Sequence, residues 1–314
     1  MKQFVWLFTV IMLFLSGCST QTSSNANIQF TFSNDYSASF ITKEQSQLEA
    51  PKGICIYNEQ ILVCDYERSA IIVLDEDGNY LKQIGHLGSA PLEFINPTDI
   101  VEHDNLFYII DSGNNRIQVL SPDFEHVKNI SLPQYTQVQF CNIEIDKSGN
   151  IYVANNSTVG YDAILLLISP NGETINVREN FSGTFATKDE LLVVESLEFS
   201  ETKQSYILQS GMNSVFALKD HERLTSLFQL PEKYSPADMI VTSDNHYIFL
   251  STRYCTIDQF SSEGIYEETL FKDDDYFHEF PNDLYMVSDG NGKYYINNPS
   301  SGGIIIIERQ NSNE

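Results

Sequence analysis

The chain has 314 residues, with 43 acidic against 18 basic side chains and a formal net charge of -25 at pH 7. Such a surface repels nucleic acid and anionic lipid headgroups, so it excludes nucleic-acid binding and membrane attachment through a basic patch. Cations and neutral molecules are the ligands that suit it. The length allows one domain with a large core if the architecture is a barrel or propeller, or else two ordinary domains.

Residues 1–17 have the features of an export signal that is removed on secretion. Lys2 supplies a positive start, and residues 4–15 form an apolar run that is too short to span a bilayer. The segment ends in Leu15-Ser16-Gly17-Cys18, which resembles the bacterial lipobox. The resemblance implies that Cys18 becomes the first residue of the mature protein and carries several acyl chains, enough for a firm anchor. The alternative is a plain secretory peptide with an incidental cysteine.

Residues 18–27 form a short segment that is polar and uncharged after the lipid site Cys18. We therefore expect a flexible lipidated tether at residues 18–27, ahead of a folded domain at residues 28–310. The lipid alone would then hold the protein on the membrane. The sequence predicts an outer membrane lipoprotein, facing either the periplasm or the cell surface. The residues after Cys18 lack an acidic patch that would resemble a surface-export signal, which favours the periplasm.

Four cysteines follow Cys18, and none has the close pairing typical of a zinc site. If Glu59-Gln60 forms a two-residue turn, Cys55 lies opposite Cys64 on one hairpin, where a cross-strand disulfide can form. The alternative is a pair of half-buried small residues with free thiols. The sequence leaves both interpretations open.

Short segments rich in Val, Ile, Tyr and Phe recur along the chain between turn clusters, and no long segment has a helical period. Aligned with one another, they give six copies of one four-residue phrase. The copies are Leu62–Asp65, Tyr108–Asp111, Tyr152–Asn155, Tyr206–Gln209, Ile248–Ser251 and Tyr294–Asn297. Their ends are separated by 46, 44, 54, 42 and 46 residues. A period in the forties with several strands per period is typical of propeller blades.

We therefore predict an all-β protein, a six-bladed β-propeller with four-stranded antiparallel blades. The sixth copy runs out of chain after three strands, while Ile28–Phe32 precedes the first blade without a partner. We predict that this N-terminal strand completes the last blade. Such pairing closes the ring and protects a sheet edge that would otherwise be exposed.

Two passages carry a resemblance to a known family. Tyr108–Val119, and the glycine-rich crossover from Gly85 to Pro97, resemble NHL-type repeats. Over residues 28–310 the chain resembles the six-bladed propeller lipoproteins of the Bacteroidota, most clearly in the first two blades. Glu198–Gln204 looks like an insertion in the fourth blade and accounts for the 54-residue interval.

A second repeated motif precedes the four-residue phrase at a nearly constant distance in the sequence. It is seen in Pro97-Thr-Asp99, Pro236-Ala-Asp238 and Pro281-Asn-Asp283, with Phe140-Cys-Asn142 as a variant. Equivalent positions on a closed ring point toward one axis, so these side chains are predicted to form a polar collar at one mouth of the central channel. The collar residues are Asp99, Asn142, Asp238 and Asp283. Such oxygen ligands suit a divalent cation such as calcium; alternatively, they cap backbone groups of the inner strands and line a hydrated channel.

Two functions follow from this pattern. A complete propeller without a recognisable catalytic set favours a non-catalytic binding or scaffolding protein, which we expect to be a monomer that presents one face to a protein or small-molecule partner. The alternative is a metal-dependent, lactonase-like hydrolase, since gluconolactonase-like propellers hold a divalent ion at this level of the channel. Its general base would be a carboxylate with a raised pKa, and the sequence singles none out. Neither a Gly-x-Ser-x-Gly elbow nor a phosphate-binding glycine loop occurs in the sequence.

Overall fold

The computed structural model describes residues 30–134, 139–155, 164–179, 183–189, 191–196, 214–219, 223–231, 234, 236–274, 284–299 and 301–310. The predicted export signal, the lipid site Cys18, the tether, Asp283 and the phrase Tyr206–Gln209 lie outside these residues. Within the described ranges, none of the helices has the length and apolar character needed to cross a membrane.

The described residues form six four-stranded antiparallel sheets, and each of these is one blade of a propeller. Blade 1 consists of Pro51–Tyr57, Gln60–Asp65, Ala70–Asp75 and Tyr80–Ile84, and blade 2 of Pro97–His103, Leu106–Asp111, Arg116–Leu120 and His126–Ser131. Blade 3 consists of Asn142–Ile145, Ile151–Ala154, Ile164–Ile168 and Thr174–Glu179, and blade 4 of Gly183–Lys188, Leu191–Ser196, Ser214–Lys219 and Arg223–Gln229. Blade 5 consists of Pro236–Val241, Tyr247–Ser251, Thr256–Phe260 and Tyr266–Lys272. Blade 6 consists of Met286–Ser288, Lys293–Asn298, Gly303–Arg309 and the N-terminal strand Tyr36–Ile41.

Shorter elements connect these blades. A one-turn helix, Lys43–Ser46, leads from the N-terminal strand toward blade 1, and Thr42 caps it by accepting a hydrogen bond from the backbone N–H of Gln45. Two parallel two-residue strands, His86–Leu87 and Glu93–Phe94, lie in the crossover from blade 1 to blade 2. A 3₁₀ turn follows at Ser112–Asn114.

The first strand of each blade lies innermost and packs against the first strands of both neighbouring blades, including blade 6 against blade 1. The ring is therefore closed. Along the third strand of blade 1, the consecutive residues from Ala70 to Leu74 are all buried. Such unbroken burial is expected because each sheet is covered on both faces by its neighbours.

The ring closes with an N-terminal strand, as predicted, but the strand is Tyr36–Ile41 and not Ile28–Phe32. Tyr36–Ile41 pairs antiparallel with the third strand of blade 6. Of the predicted segment, the described part lies against blade 5 instead, where Phe32 forms an isolated bridge with Thr269. The later segment is selected by packing, because Tyr36 packs against the core between blades 5 and 6 and Ile41 is buried in the core between blades 6 and 1.

The fourth copy of the phrase is also corrected. The second strand of blade 4 is Leu191–Ser196, and it pairs with Gly183–Lys188 and Ser214–Lys219. The predicted Tyr206–Gln209 lies outside the described residues, so alignment by spacing selected the wrong apolar run for the second strand of blade 4.

Of the two interpretations of Cys55 and Cys64, the structure has the one with free thiols, since both cysteines are unpaired and buried. The turn of this hairpin is Asn58-Glu59, whose φ angles of 48° and 61° are typical of a type I′ turn. It places Cys55 opposite Leu62, two positions before Cys64. Burial raises the pKa of the Cys55 thiol to about 12, so this thiol is unreactive at neutral pH.

In blades 1 and 2, the aspartate that ends the phrase holds the chain as it enters the first strand. The carboxylate of Asp65 accepts hydrogen bonds from the backbone of Glu49 and Ala50, and that of Asp111 accepts one from Ile95 at 2.7 Å. Both carboxylates are fully buried. Their role is to satisfy backbone groups that no strand partner reaches.

Candidate ligand site in the central channel

Asp99 and Asp238 make matching contacts in blades 2 and 5. One carboxyl oxygen of each accepts a hydrogen bond from the backbone N–H of the next residue, at 2.9 Å in both cases. The other oxygen accepts from the first strand of the following blade, from Ile143 at 2.9 Å and from Met286 at 2.7 Å. Each side chain therefore joins two innermost strands.

In the described part of the channel, the residues predicted to bind calcium do not form a set of metal ligands. Asp99 and Asp238 turn their oxygens to backbone N–H groups, and the side-chain oxygen of Asn142 accepts a hydrogen bond from the thiol of Cys141 at 3.1 Å. Asp283 lies outside the described residues. Across the residues that the structure describes, no three His, Cys, Asp or Glu side chains come together as a metal site. The observed contacts are those of residues that cap inner-strand backbone groups.

Tyr285, just before the first strand of blade 6, crosses the channel at the level of the collar. Its hydroxyl donates a hydrogen bond to the backbone carbonyl of Cys141, just before blade 3, at 2.9 Å. Blades 3 and 6 stand opposite one another in a ring of six, so this buried side chain spans the axis. It narrows the channel at this end.

A cavity of about 880 Å³ occupies the channel beyond Tyr285. The first strands of all six blades contribute to its wall, from collar level to the turns that follow the first strands of blades 5 and 6. From the axis it extends between those two blades to the ring-closing strand, where Tyr36, Tyr294 and Arg309 line it. The exposed residues Asp244 and Gly290 lie at this outer end, so the cavity opens to solvent there.

Glu144 is an acidic residue of the cavity that sequence reasoning missed. It lies on the first strand of blade 3, and the hydroxyl of Thr187 in blade 4 donates to it at 2.8 Å. Burial, together with the nearby carboxyl of Asp238, raises the pKa of Glu144 to about 7. Burial likewise raises the pKa of Asp238 to about 7 and that of Asp99 well above its usual range. The available signal was its place two residues after Asn142, on the same side of the strand.

Solved structures similar to this chain include two enzymes and a protein of unknown function. Virginiamycin B lyase from Staphylococcus aureus is 12% identical, with 87% of this chain and 99% of that chain covered and a TM-score of 0.55. A luciferin-regenerating enzyme is 10% identical, with 87% and 95% covered and a TM-score of 0.59. A structural genomics protein of unknown function from Bacteroides thetaiotaomicron is 12% identical, with 87% and 76% covered and a TM-score of 0.61. At such identities the similarity shows the fold alone.

No curated protein matches the chain in sequence. Residues 21–230 match the model of the DUF5128 family, which is described as a 6-bladed beta-propeller. The match agrees with the six four-stranded blades and covers more than half of the sequence. The chain therefore belongs to the DUF5128 family of six-bladed β-propellers.

Proposed function

We propose that this protein is a lipid-anchored, non-catalytic binding propeller of the cell envelope, with the channel cavity as its ligand site. The observation that carries the proposal is the cavity itself, whose volume of about 880 Å³ lies within the usual range for small-molecule sites. Asp99 and Asp238 tie neighbouring first strands together around it. A wall held in this way is preformed, which lowers the entropic cost of binding.

A lactonase-like hydrolase is the second candidate function. It is favoured by the pKa of Glu144 near 7, the value that suits a general base at neutral pH. The metal-ligand set that such an enzyme needs has no counterpart among the described residues. Hydrolysis of glucono-1,5-lactone with added calcium, lost in Glu144→Gln, would favour this candidate over simple binding.

Filling the cavity with a large side chain is expected to abolish ligand binding. Ser288 lines the cavity, whereas Ser262 is exposed in a turn of blade 5 away from it. Small molecules that raise the melting temperature of the wild type should bind Ser288→Trp at least about tenfold more weakly and bind the control Ser262→Trp normally. Thermal-shift screening followed by calorimetry measures both, and circular dichroism checks that the variants fold. Equal binding to all three proteins would place the ligand elsewhere.

Replacing the proposed lipid site is expected to release the protein from the membrane. In Cys18→Ser the thiol that would accept the lipid is missing, so the protein should enter the aqueous phase of a detergent partition or keep residues 1–17. Cys141→Ser is the matched control and should partition like the wild type. Mass spectrometry of the N-terminus distinguishes lipidated from unprocessed chains. Detergent partition of Cys18→Ser equal to that of the wild type would contradict the anchor.

A further inference from the structure

The charges in the cavity are unevenly distributed. Its inner end carries the carboxyl groups of Asp99, Glu144 and Asp238, which come from three different blades. Among the described residues that line it, Arg309 at the outer end is the one Arg or Lys side chain, and it faces Asp35 at 3.5 Å. His246, near the same outer end, lies close to two further acids. Above a pH of about 7, where Glu144 and Asp238 are ionised, the inner end therefore has a negative potential with no Arg or Lys side chain of its own in the described part of the wall.

Three hydrogen-bond donors beside the inner carboxyls are already used. The backbone N–H groups of Ile143 and Met286 donate to Asp99 and Asp238, and the hydroxyl of Thr187 donates to Glu144. An anionic ligand would meet like charge and would find these donors occupied, so nothing would compensate the loss of its hydration. The site is thus unsuited to carboxylates and phosphates.

The remaining wall favours an organic body over a bare ion. Apolar and aromatic side chains lie beside the acids, Phe185 and Met239 at the inner end and Tyr36 with Tyr294 at the outer end. The two tyrosine rings have their centroids 6.5 Å apart. Aromatic faces cover apolar groups and attract cations at close range. The volume of about 880 Å³ greatly exceeds that of a metal ion and matches a small organic molecule.

Building on the proposed function, we infer that the cavity takes an organic cation, a primary or quaternary amine with an apolar body, whose charged group lies among Glu144, Asp99 and Asp238. A positive charge at this place offsets the repulsion that these carboxyls exert on one another. The apolar body then extends toward the tyrosines between blades 5 and 6. The acidic surface of the protein attracts such a ligand from solution.

Three probes of similar shape and different charge test the inference on the whole domain at pH 8 and low salt. They are 2-phenylethylamine, the neutral 2-phenylethanol and the anionic 3-phenylpropanoate. Calorimetry is expected to give an affinity for the amine at least about tenfold higher than for the alcohol, because the amine forms a charge pair away from water. The carboxylate is expected not to bind. Ser288→Trp should abolish binding of the amine, which locates it in the cavity.

Two variants with the same change in net charge separate a local contact from general attraction. Glu144→Gln should weaken amine binding at least about fivefold and leave alcohol binding unchanged, whereas Glu125→Gln, exposed at the rim of blade 2, should change neither. Equal weakening by both variants, or equal affinity for amine and alcohol, would overturn the cation inference while leaving a ligand cavity intact. If the amine does not bind and other small molecules do so in a Ser288-dependent way, the inference fails and the proposed function survives.

Discussion

Removal of the ring-closing strand Tyr36–Ile41 is expected to lower the melting temperature by about 10 °C or more, or to prevent folding. The strand pairs along its whole length with Gly303–Arg309 in blade 6. Ile41 is buried in the core between blades 6 and 1, and Tyr36 packs against the core between blades 5 and 6. Loss of the strand opens both interfaces. Burial of one large apolar side chain contributes about 2 kcal/mol to the free energy of unfolding. In a domain of this size, each kcal/mol lost lowers the melting temperature by about 2–4 °C.

Two truncations make the comparison sharp. A variant without residues 19–41 lacks the closing strand, whereas one without residues 19–35 keeps that strand and lacks the segment before it, including an arm, Thr31–Ser33, that lies on blade 5. In that arm Thr31 and Ser33 exchange backbone hydrogen bonds with Thr269. The shorter truncation is expected to cost only a few degrees in differential scanning calorimetry. If it cost as much as the longer one, the arm rather than Tyr36–Ile41 would be the closing element.

Asp111→Ala is expected to be the most destabilising single substitution in blade 2. The buried carboxylate of Asp111 accepts hydrogen bonds from the backbone of Ile95 at 2.7 Å, from Asn114 at 2.8 Å and from the guanidinium of Arg116 at 2.7 Å. Alanine leaves the backbone N–H of Ile95 without this acceptor, and the partly buried guanidinium of Arg116 keeps its carbonyl acceptors but loses the carboxylate that balances its charge. Breaking such a pair costs about 3–5 kcal/mol, which corresponds to a melting temperature lower by about 6–20 °C.

Asp123→Ala is the matched control, because Asp123 is exposed in the turn between the third and fourth strands of the same blade. Its loss should change the free energy of unfolding by no more than about 0.5 kcal/mol. Denaturant unfolding of both variants measures the difference. A small effect for Asp111→Ala would mean that the network around Arg116 is rebuilt without the carboxylate.

The repeat phrase predicted the architecture because it reflects local burial. Residues such as Tyr108–Asp111 form a short apolar run closed by a polar cap, and both features are visible in the sequence. In blade 4 the same reasoning chose Tyr206–Gln209 over Leu191–Ser196, since spacing alone cannot choose between two apolar runs within one repeat. The strand register of the first hairpin depends on the exact position of its turn. Placing the turn one residue too late put Cys64 opposite Cys55, where the structure has Leu62.

The candidate site was predictable only in part. The repeated motif that contains Asp99 and Asp238 correctly placed these residues on innermost strands, because its distance from the four-residue phrase is nearly constant. The backbone N–H groups that donate hydrogen bonds to them were not predictable, since Ile143 and Met286 belong to the following blades. Glu144 carries no motif, and its raised pKa arises from burial that only the closed ring creates.

By itself, the sequence determined the blade repeat, the all-β class and the acidic character of the protein, because these depend on composition and on contacts between neighbouring strands in the chain. The tertiary structure alone decided which N-terminal segment closes the ring and where the channel narrows. Tyr285 and Cys141 are 144 positions apart, yet they meet across the axis. Such contacts leave no local trace, because they exist only once six separate sheets have been brought around one centre.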